Sequence, residues 1–396
     1  MPNVLALSLS DARRLIACYH FQPADVAGVF GRLGSAQYDP LNPVGRNHDL
    51  VLQARVPGYE VGDWEAFTYG VFGERTVYDA WDKQACLVPV SDWAYRRFYH
   101  ATFAPRWSQR VLEPHAEAVE ATLSELEQRG PLSSLEFTDQ AHIRAWRGSW
   151  HGPKLVKNIL RALWYTGQIV THHRDKGRHV YSLSEAVIPQ RYLEQEVAKE
   201  EGLRHIILRR HQSAGLLRPN ADASLWMPIG SAERKPVVEA LVQEGALIKL
   251  ELEGQTYHAL PSVLAWLERP LPEPRMIFLA PLDSLMWDRK AVKHLFDFDY
   301  VWEVYKPEHE RRWGYYVLPV FYGERFVGRF DSRLEGDTWH LLRWWWEAGV
   351  EPGADMLGAL EDAVKRFKKY LNADKVKLPR GLGRATRAAW QAGAKG

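Results

Sequence analysis

Two stretches of this chain repeat one order of signals, and the repeat limits the folds open to it. In the first, Leu155, Ile159 and Leu163 recur at helical spacing and Gly167 stops the helix. Gln168 to Thr171 then reads as a strand, and Val180-Tyr181-Ser182-Leu183 returns after a polar loop. In the second, Val237, Val238 and Leu241 lead to Gly245, a strand from Ala246 to Leu252, a tight Glu253-Gly254 turn and Thr256-Tyr257-His258-Ala259-Leu260. The glycine-to-tyrosine spacing is fourteen residues in one copy and twelve in the other. Helix, glycine stop and β-hairpin form the core of a winged helix, so tandem copies are predicted, with helices around Leu193 to Leu216 as spacers.

The N-terminal part carries a related order. Ser8 to Asp11 reads as a capping box opening a helix through Leu15, Ile16 and Tyr19. Pro23 starts a second helix with Val26, Val29, Phe30 and Leu33 on one face and Gly34 as its stop. Leu50 to Val56 alternates as a strand, before a Pro57-Gly58-Tyr59 turn. A long Glu- and Ala-rich helix is expected from Val111 to Gln128, ended by Gly130-Pro131. Past the proline-rich stretch from Pro270 to Pro274 the pattern turns to β, with Val317 to Pro319 and Phe326 to Phe330 flanking Gly323-Glu324 as a hairpin. Trp339 to Trp346 is expected to pack against a closing helix from Ala354 to Tyr370. The fold class is therefore α+β: tandem winged-helix modules followed by a β-rich C-terminal region. Four parts are expected, residues 1–100, 101–190, 191–270 and 271–396.

A chain of 396 residues is long for one core, and 46% apolar with 25% charged residues is ordinary for a globular protein. The 17 tryptophans predict large buried aromatics joining the modules. Cys18 and Cys86 offer neither a disulfide framework nor metal-ligand spacing, which favours a reduced, cytoplasmic protein. No secretory signal and no apolar run able to span a bilayer is visible, so no membrane partner is expected. The net charge of +2 is nearly silent about partners, but Lys365 to Gly396 holds ten Lys and Arg against Asp374 alone. That basic tail reads either as a phosphate contact or as a solvated end.

Gln37-Tyr38-Asp39-Pro40 follows the Gly34 stop. If Ser35 to Asp39 is extended, Gln37 and Asp39 share one face, with Tyr38 on the other. Residues two apart on a strand lie roughly 6–7 Å apart at Cα, so an amide and a carboxylate could address one water. By spacing alone an ordinary strand-to-turn transition is the favoured reading, because Gln-x-Asp is a weak pattern and Asp before Pro is common in such turns.

Gln37-Tyr38-Asp39-Pro40-Leu41, continued by Asn42-Pro43-Val44-Gly45-Arg46, resembles the Gln-hydrophobic-Asp motif of the AlkZ-like DNA glycosylases, in particular the YcaQ (AlkX) branch. The likeness extends to Trp81 to Pro89, Trp150-His151-Gly152, and the block from Trp287-Asp288-Arg289-Lys290 to Arg329. AlkZ itself carries Gln where this chain has Asp39, so the likeness is to the Asp-bearing branch. The resemblance implies winged-helix units forming a C-shaped clamp on double-stranded DNA with alkylated bases. It implies a monofunctional glycosylase excising N7-alkylguanine, with interstrand crosslinks as a further substrate class, and Gln37 and Asp39 as the catalytic pair. No cofactor or metal is expected, and the protein is expected to act as a monomer near the nucleoid.

Candidate DNA contacts come from local charge. Arg46, Asn47 and His48 follow the motif and could grip phosphates, unless Arg46 pairs with Asp49. Lys154 and Lys157 fit phosphate contact or a solvated helix face. The loop His172 to His179 is basic and expected to be flexible, with Arg174, Lys176 and Arg178 on DNA as a wing. A metal on His172 and His173 is disfavoured because neighbours on a strand point oppositely. Lys306, Arg311, Arg312 and Arg329 surround the β-rich region and read as DNA contacts or plain surface charge. Asp283 and Asp288 read as structural carboxylates. Two non-enzymatic alternatives remain at this point: a transcriptional regulator reading DNA through the same modules, and a protein-interaction scaffold.

Overall fold

The first helix, Leu9–Phe21, opens on the expected capping box: Ser8 Oγ accepts from the Asp11 amide at 3.0 Å and donates to the Asp11 carboxylate at 2.6 Å. The second helix spans Val26–Leu33. It starts not at Pro23 but at Asp25, whose carboxylate accepts from Gly28 N at 2.7 Å, and it ends on Gly34 at φ +66°. The expected strand from Leu50 to Val56 is instead the helix Asn47–Gln53, in which Asn47 through Leu52 are all buried. Leu50-Val51-Leu52 is a continuous apolar run, and such a run fits a buried helix as well as a strand.

The computed structural model describes residues 4–69, 73–102, 105–141 and 154–396. Trp150-His151-Gly152 lies outside the described residues. The chain forms two compact units. One gathers Met1–Trp64, Leu208–Trp226 and Ser231–Gly396; the other is Glu65–Ile207 with Met227–Gly230.

Within the second unit, the first repeat copy is helix Leu155–Tyr165, then Gly167 at φ +72°, then the antiparallel strands Ile169–Asp175 and Arg178–Leu183. Gly167 is required twice over, because a Cβ there would also lie 2.4 Å from His100 Nδ1. Strand Leu132–Ser133 adds a third member to this sheet. Ile159, Leu160, Leu163 and Ile169 bury themselves with Leu126 and Phe137, so the helix face and the hairpin share one core. The expected polar loop is mostly strand: only Lys176 (φ +50°) and Gly177 (φ +82°) turn, a two-residue hairpin that suits the strand twist. The long helix expected from Val111 is broken. Pro105–Leu112 and Ala116–Arg129 are separated by a 3-10 turn, Glu113–His115, at Pro114, where an amide donor is missing.

In the first unit the second copy is helix Ser231–Gln243, Gly245 at φ +77°, and strands Ile248–Leu252 and Gln255–Ala259, with Leu5–Ala6 adding a parallel edge. A five-stranded sheet follows, ordered Met276–Phe278, Val317–Tyr322, Arg325–Glu335, Thr338–Trp346 and Lys375–Lys377. The hairpin turn falls at Gly323-Glu324 as expected, and helix Ala354–Tyr370 closes over the sheet. The core between them is aromatic: Phe278 meets Phe330 at 4.6 Å, and Trp339 meets Phe367 at 5.1 Å and Trp390 at 4.9 Å between ring centroids. Trp390 belongs to helix Arg384–Lys395 and is fully buried, so the basic tail is a packed helix rather than a loose end.

Two buried ion pairs hold the first unit. Arg55 donates to both oxygens of Asp283 at 2.7 and 2.9 Å, and Arg218 to both of Asp288 at 2.9 and 2.6 Å. Each aspartate also caps a helical turn, Asp283 through Leu285 N and Asp288 through Ala291 N. Their expected structural role is the one observed.

Candidate active site

The motif is positioned by its own main chain. Strand Ala36–Gln37 is two residues long, and Asn47 Nδ2 donates to the Gln37 carbonyl at 2.8 Å. The Asn47 Oδ1 atom accepts from Leu282 N at 3.0 Å, one residue before the Arg55–Asp283 pair. Gln37 is thereby tied through one amide side chain to the most buried ion pair of the unit. Tyr38 turns into the core, where it stacks on His48 at 4.3 Å, and Trp64 meets His48 edge-on at 4.9 Å.

The two polar side chains differ in surroundings. Gln37 is 6% exposed, and its Oε1 has no hydrogen-bond partner among the described residues. A buried acceptor left without a donor costs roughly 1–3 kcal/mol, and such groups concentrate where a ligand or reacting water is received. Asp39 is half-buried; burial pushes its carboxyl above the ordinary range, opposed by a hydrogen bond from Leu41 N at 2.9 Å. The phenol of Tyr316 is raised by burial and further by the charge of Asp39, which marks the two as neighbours.

Tyr316 arrives on a loop fixed by two carboxylates. Glu303 is nearly fully buried and accepts from Trp313 N at 2.7 Å, Arg312 N at 3.2 Å, Gly314 N at 3.4 Å and Lys306 Nζ at 2.9 Å. Burial acts to raise the Glu303 carboxyl, but the Lys306 ammonium and the loop amides outweigh it and bring it down to about 2. Asp331 accepts from Tyr315 N at 3.1 Å and Tyr316 N at 3.3 Å. Gly314, at φ +153°, sits so close to Asp331 that a Cβ would fall 2.0 Å from its Oδ2. On the other side of the motif, Asp49 accepts from Arg46 Nε and from the Tyr59 hydroxyl, both at 2.7 Å. Gly45, at φ +125°, lies against the Tyr370 hydroxyl.

The candidate DNA contacts divide sharply. Lys157, Lys176, Arg178 and Arg312 are exposed. Lys154 is partly buried and donates to Gln140 Oε1 at 2.5 Å; Lys306 is paired with Glu303; Arg311 Nε donates to the Lys306 carbonyl at 2.8 Å. Arg46 is held by Asp49, the pairing weighed against phosphate contact from the sequence. Four expectations are corrected. Asn47 and His48 are fully buried, one as the clamp on Gln37 and the other in the aromatic stack. Arg174 pairs with Asp79 at 3.3 Å with its side chain 3% exposed. Arg329 is 1% exposed, doubly hydrogen-bonded to Glu347 at 2.7 and 3.0 Å, and sandwiched between the rings of Phe298 and Trp313. In each the side chain is packed within the protein and turned from solvent.

The argument from alternation at His172 and His173 also fails locally. A β-bulge between Thr171 and His173 brings their Nδ1 atoms to 2.8 Å. Among the described residues no three metal-ligating side chains gather. Sequence reasoning missed Tyr316, which lies far from Asp39 in sequence, the Glu303 and Asp331 carboxylates, whose loop amide partners carry no periodic signal, and the clamping role of Asn47, whose second partner is the distant Leu282.

A sequence model described as DNA glycosylase AlkZ-like matches residues 30–370, a span that includes the motif, both repeat copies and the 303–316 loop. The chain belongs to the AlkZ-like DNA glycosylase family. It is therefore a DNA N-glycosylase acting in DNA repair, and the non-enzymatic alternatives fall away. The fold is also similar to that of the DNA glycosylase AlkZ of Streptomyces sahachiroi, with a TM-score of 0.63 and 14% sequence identity. That match covers 95% of this chain and 100% of the other. Both are mixed α+β structures, and no helix among the described residues is long and apolar enough to cross a membrane.

Proposed function

We propose that this glycosylase excises N7-alkylguanine from double-stranded DNA by hydrolysing the N-glycosidic bond, with Asp39 as the reacting carboxylate and Gln37 beside it. The reading is supported by one observation: a half-buried Asp39, its carboxyl raised by that burial, stands two residues from the buried Gln37, whose Oε1 has no partner among the described residues. Departure of the base passes through an oxocarbenium-like sugar. An N7-alkylated guanine is already cationic and leaves as a neutral base, so it needs little acid assistance. A carboxylate stabilises the developing sugar cation and takes a proton from the attacking water, whose oxygen forms the new bond to C1′. A half-buried carboxylate is a stronger partner for that cation than a fully solvated one. Gln37 does not titrate and orients the water or the sugar. The motif contains no lysine, so no Schiff base forms and the enzyme is monofunctional.

In this proposal the two helix–hairpin copies and the N-terminal helices act as tandem winged-helix modules in a C-shaped clamp, divided into the four parts expected from the sequence. Exposed Lys157, Lys176, Arg178 and Arg312, together with Lys154, Lys306, Arg311 and Arg46, meet backbone phosphates. The protein works as a monomer on nucleoid DNA in the cytoplasm. Interstrand crosslinks through guanine N7 belong to the same substrate class, because the bond broken is the same. The test is a substrate panel: methylated duplex, N7-crosslinked duplex and uracil-containing duplex, scored for released base and for strand unhooking. Release of 7-methylguanine with uracil left in place supports the lesion class; uracil release, or retention of both bases, contradicts it. Unhooking of the second duplex extends the class to crosslinks.

A further inference from the structure

The first unit holds a cavity that none of the motif residues lines. Helix Ser231–Gln243 and the hairpin Ile248–Leu252 with Gln255–Ala259, together with Trp226, enclose a cavity of about 510 Å³. That volume is in the range of small-molecule sites. Arg234 lines it. This arginine is 8% exposed and lies 4.5 Å over the Trp226 ring, and no hydrogen bond or ion pair holds its guanidinium among the described residues. A buried guanidinium without a counter-charge is unfavourable, and a cation–π contact offsets only part of that.

Two further polar atoms on the lining are sealed from solvent and lack a partner. Trp226 is 1% exposed with Nε1 unpartnered, and His258 is 6% exposed with Nδ1 unpartnered, among the described residues. The indole N–H and the guanidinium can only donate. Burial, aided by nearby Lys249, holds the His258 imidazole near 4, so at neutral pH it carries one proton, which it can place on Nδ1. Three donors without acceptors around one cavity describe a place for an anion. The remaining charge agrees: Lys235 and Lys249 lie on the lining against Glu239, although Lys249 also reaches Glu251 at 3.6 Å.

We propose that this cavity binds a phosphate group carried by a ligand of about mononucleotide size, with Arg234, Trp226 Nε1 and His258 Nδ1 as its donors. Three donors on separate elements suit three phosphate oxygens better than the two of a carboxylate. The phosphate could come from a free nucleotide or from a DNA backbone. The site is independent of the lesion chemistry proposed for Asp39.

The test uses the full chain in phosphate-free buffer, with thermal melting and calorimetric titration of inorganic phosphate, guanosine monophosphate and an undamaged duplex. Arg234→Met keeps the apolar stem on Trp226 and removes the charge. It is expected to melt no lower than wild type without ligand, because an uncompensated buried charge is gone. Phosphate and the nucleotide should raise the wild-type melting temperature and bind Arg234→Met at least about tenfold more weakly, the scale of a lost charge-assisted contact. Lys249→Gln, at the rim, should weaken the same ligands without disturbing the fold. A tenfold loss seen for the duplex alone assigns the phosphate to DNA, and one seen for the nucleotide assigns it to a free ligand. Equal binding of all three ligands by wild type and both variants, or no binding by wild type, overturns the site.

Discussion

Asp39 and Gln37 sit two residues apart and depend on different parts of the protein. Asp39 is raised by burial, so the ionised form that the proposed mechanism needs is lost at a higher pH than for a solvated aspartate. The excision rate should therefore fall on the acid side with an inflection above the usual carboxylate range. Single-turnover rates across pH check this, and an acid limb at the ordinary aspartate position would remove desolvation from the account. Arg329 gives a prediction of the opposite kind. Because it is buried between Phe298 and Trp313 and bonded to Glu347, which keeps part of its solvent exposure, Arg329→Met should lower stability by about 1.5–3 kcal/mol, the scale of a lost charge-assisted hydrogen bond, with little change in the salt dependence of DNA binding. Denaturant melts and salt titrations separate the two effects. At this scale the sequence displayed the Gln-x-Asp pair and its basic neighbours. Which basic residues face solvent was not legible, since Arg174 and Arg329 find their acids only in the folded chain.

Among the elements, the 303–316 loop is the one that brings Tyr316 toward Asp39. Gly314→Ala forces a Cβ onto Asp331 at a φ that side chains avoid. It should destabilise the loop by roughly 1–3 kcal/mol, the scale of strained backbone, and slow excision more than it weakens DNA binding. Single-turnover rates and binding isotherms measure the split; an unchanged rate would detach the loop from the reaction. Local periodicity read the helix–glycine–hairpin copies, the Gly323-Glu324 hairpin and the closing helix correctly, because each has its turn chemistry within a few residues. It misread Asn47–Gln53, where burial on all sides erases the period, and it ran one helix through Pro114. The His172–His173 bulge depends on how two strands pair, which neither strand encodes alone.

For the molecule as a whole, the motif is held by contacts that span the chain. Arg55 and Asp283 are fully buried and join the N-terminal helices to the turn before the Arg289–Phe296 helix. Arg55→Met should destabilise by about 3–5 kcal/mol, whereas Arg55→Met with Asp283→Leu should recover much of the loss, because no charge is then left buried alone. Equilibrium unfolding of the three proteins tests this. The α+β class could be read from the pattern, and the family from the motif and its flanks. The proximity of Tyr316 to the charge of Asp39 could not, since 277 positions separate them in sequence. The measurement closest to the central claim is single-turnover release of 7-methylguanine from methylated duplex by wild type, Asp39→Asn and Gln37→Ala, with duplex affinity measured on the same preparations. The account predicts a loss of at least about a hundredfold in Asp39→Asn, the scale of removing a general base, a smaller loss in Gln37→Ala, and affinity within a few-fold for both. Release by Asp39→Asn at the wild-type rate would contradict it.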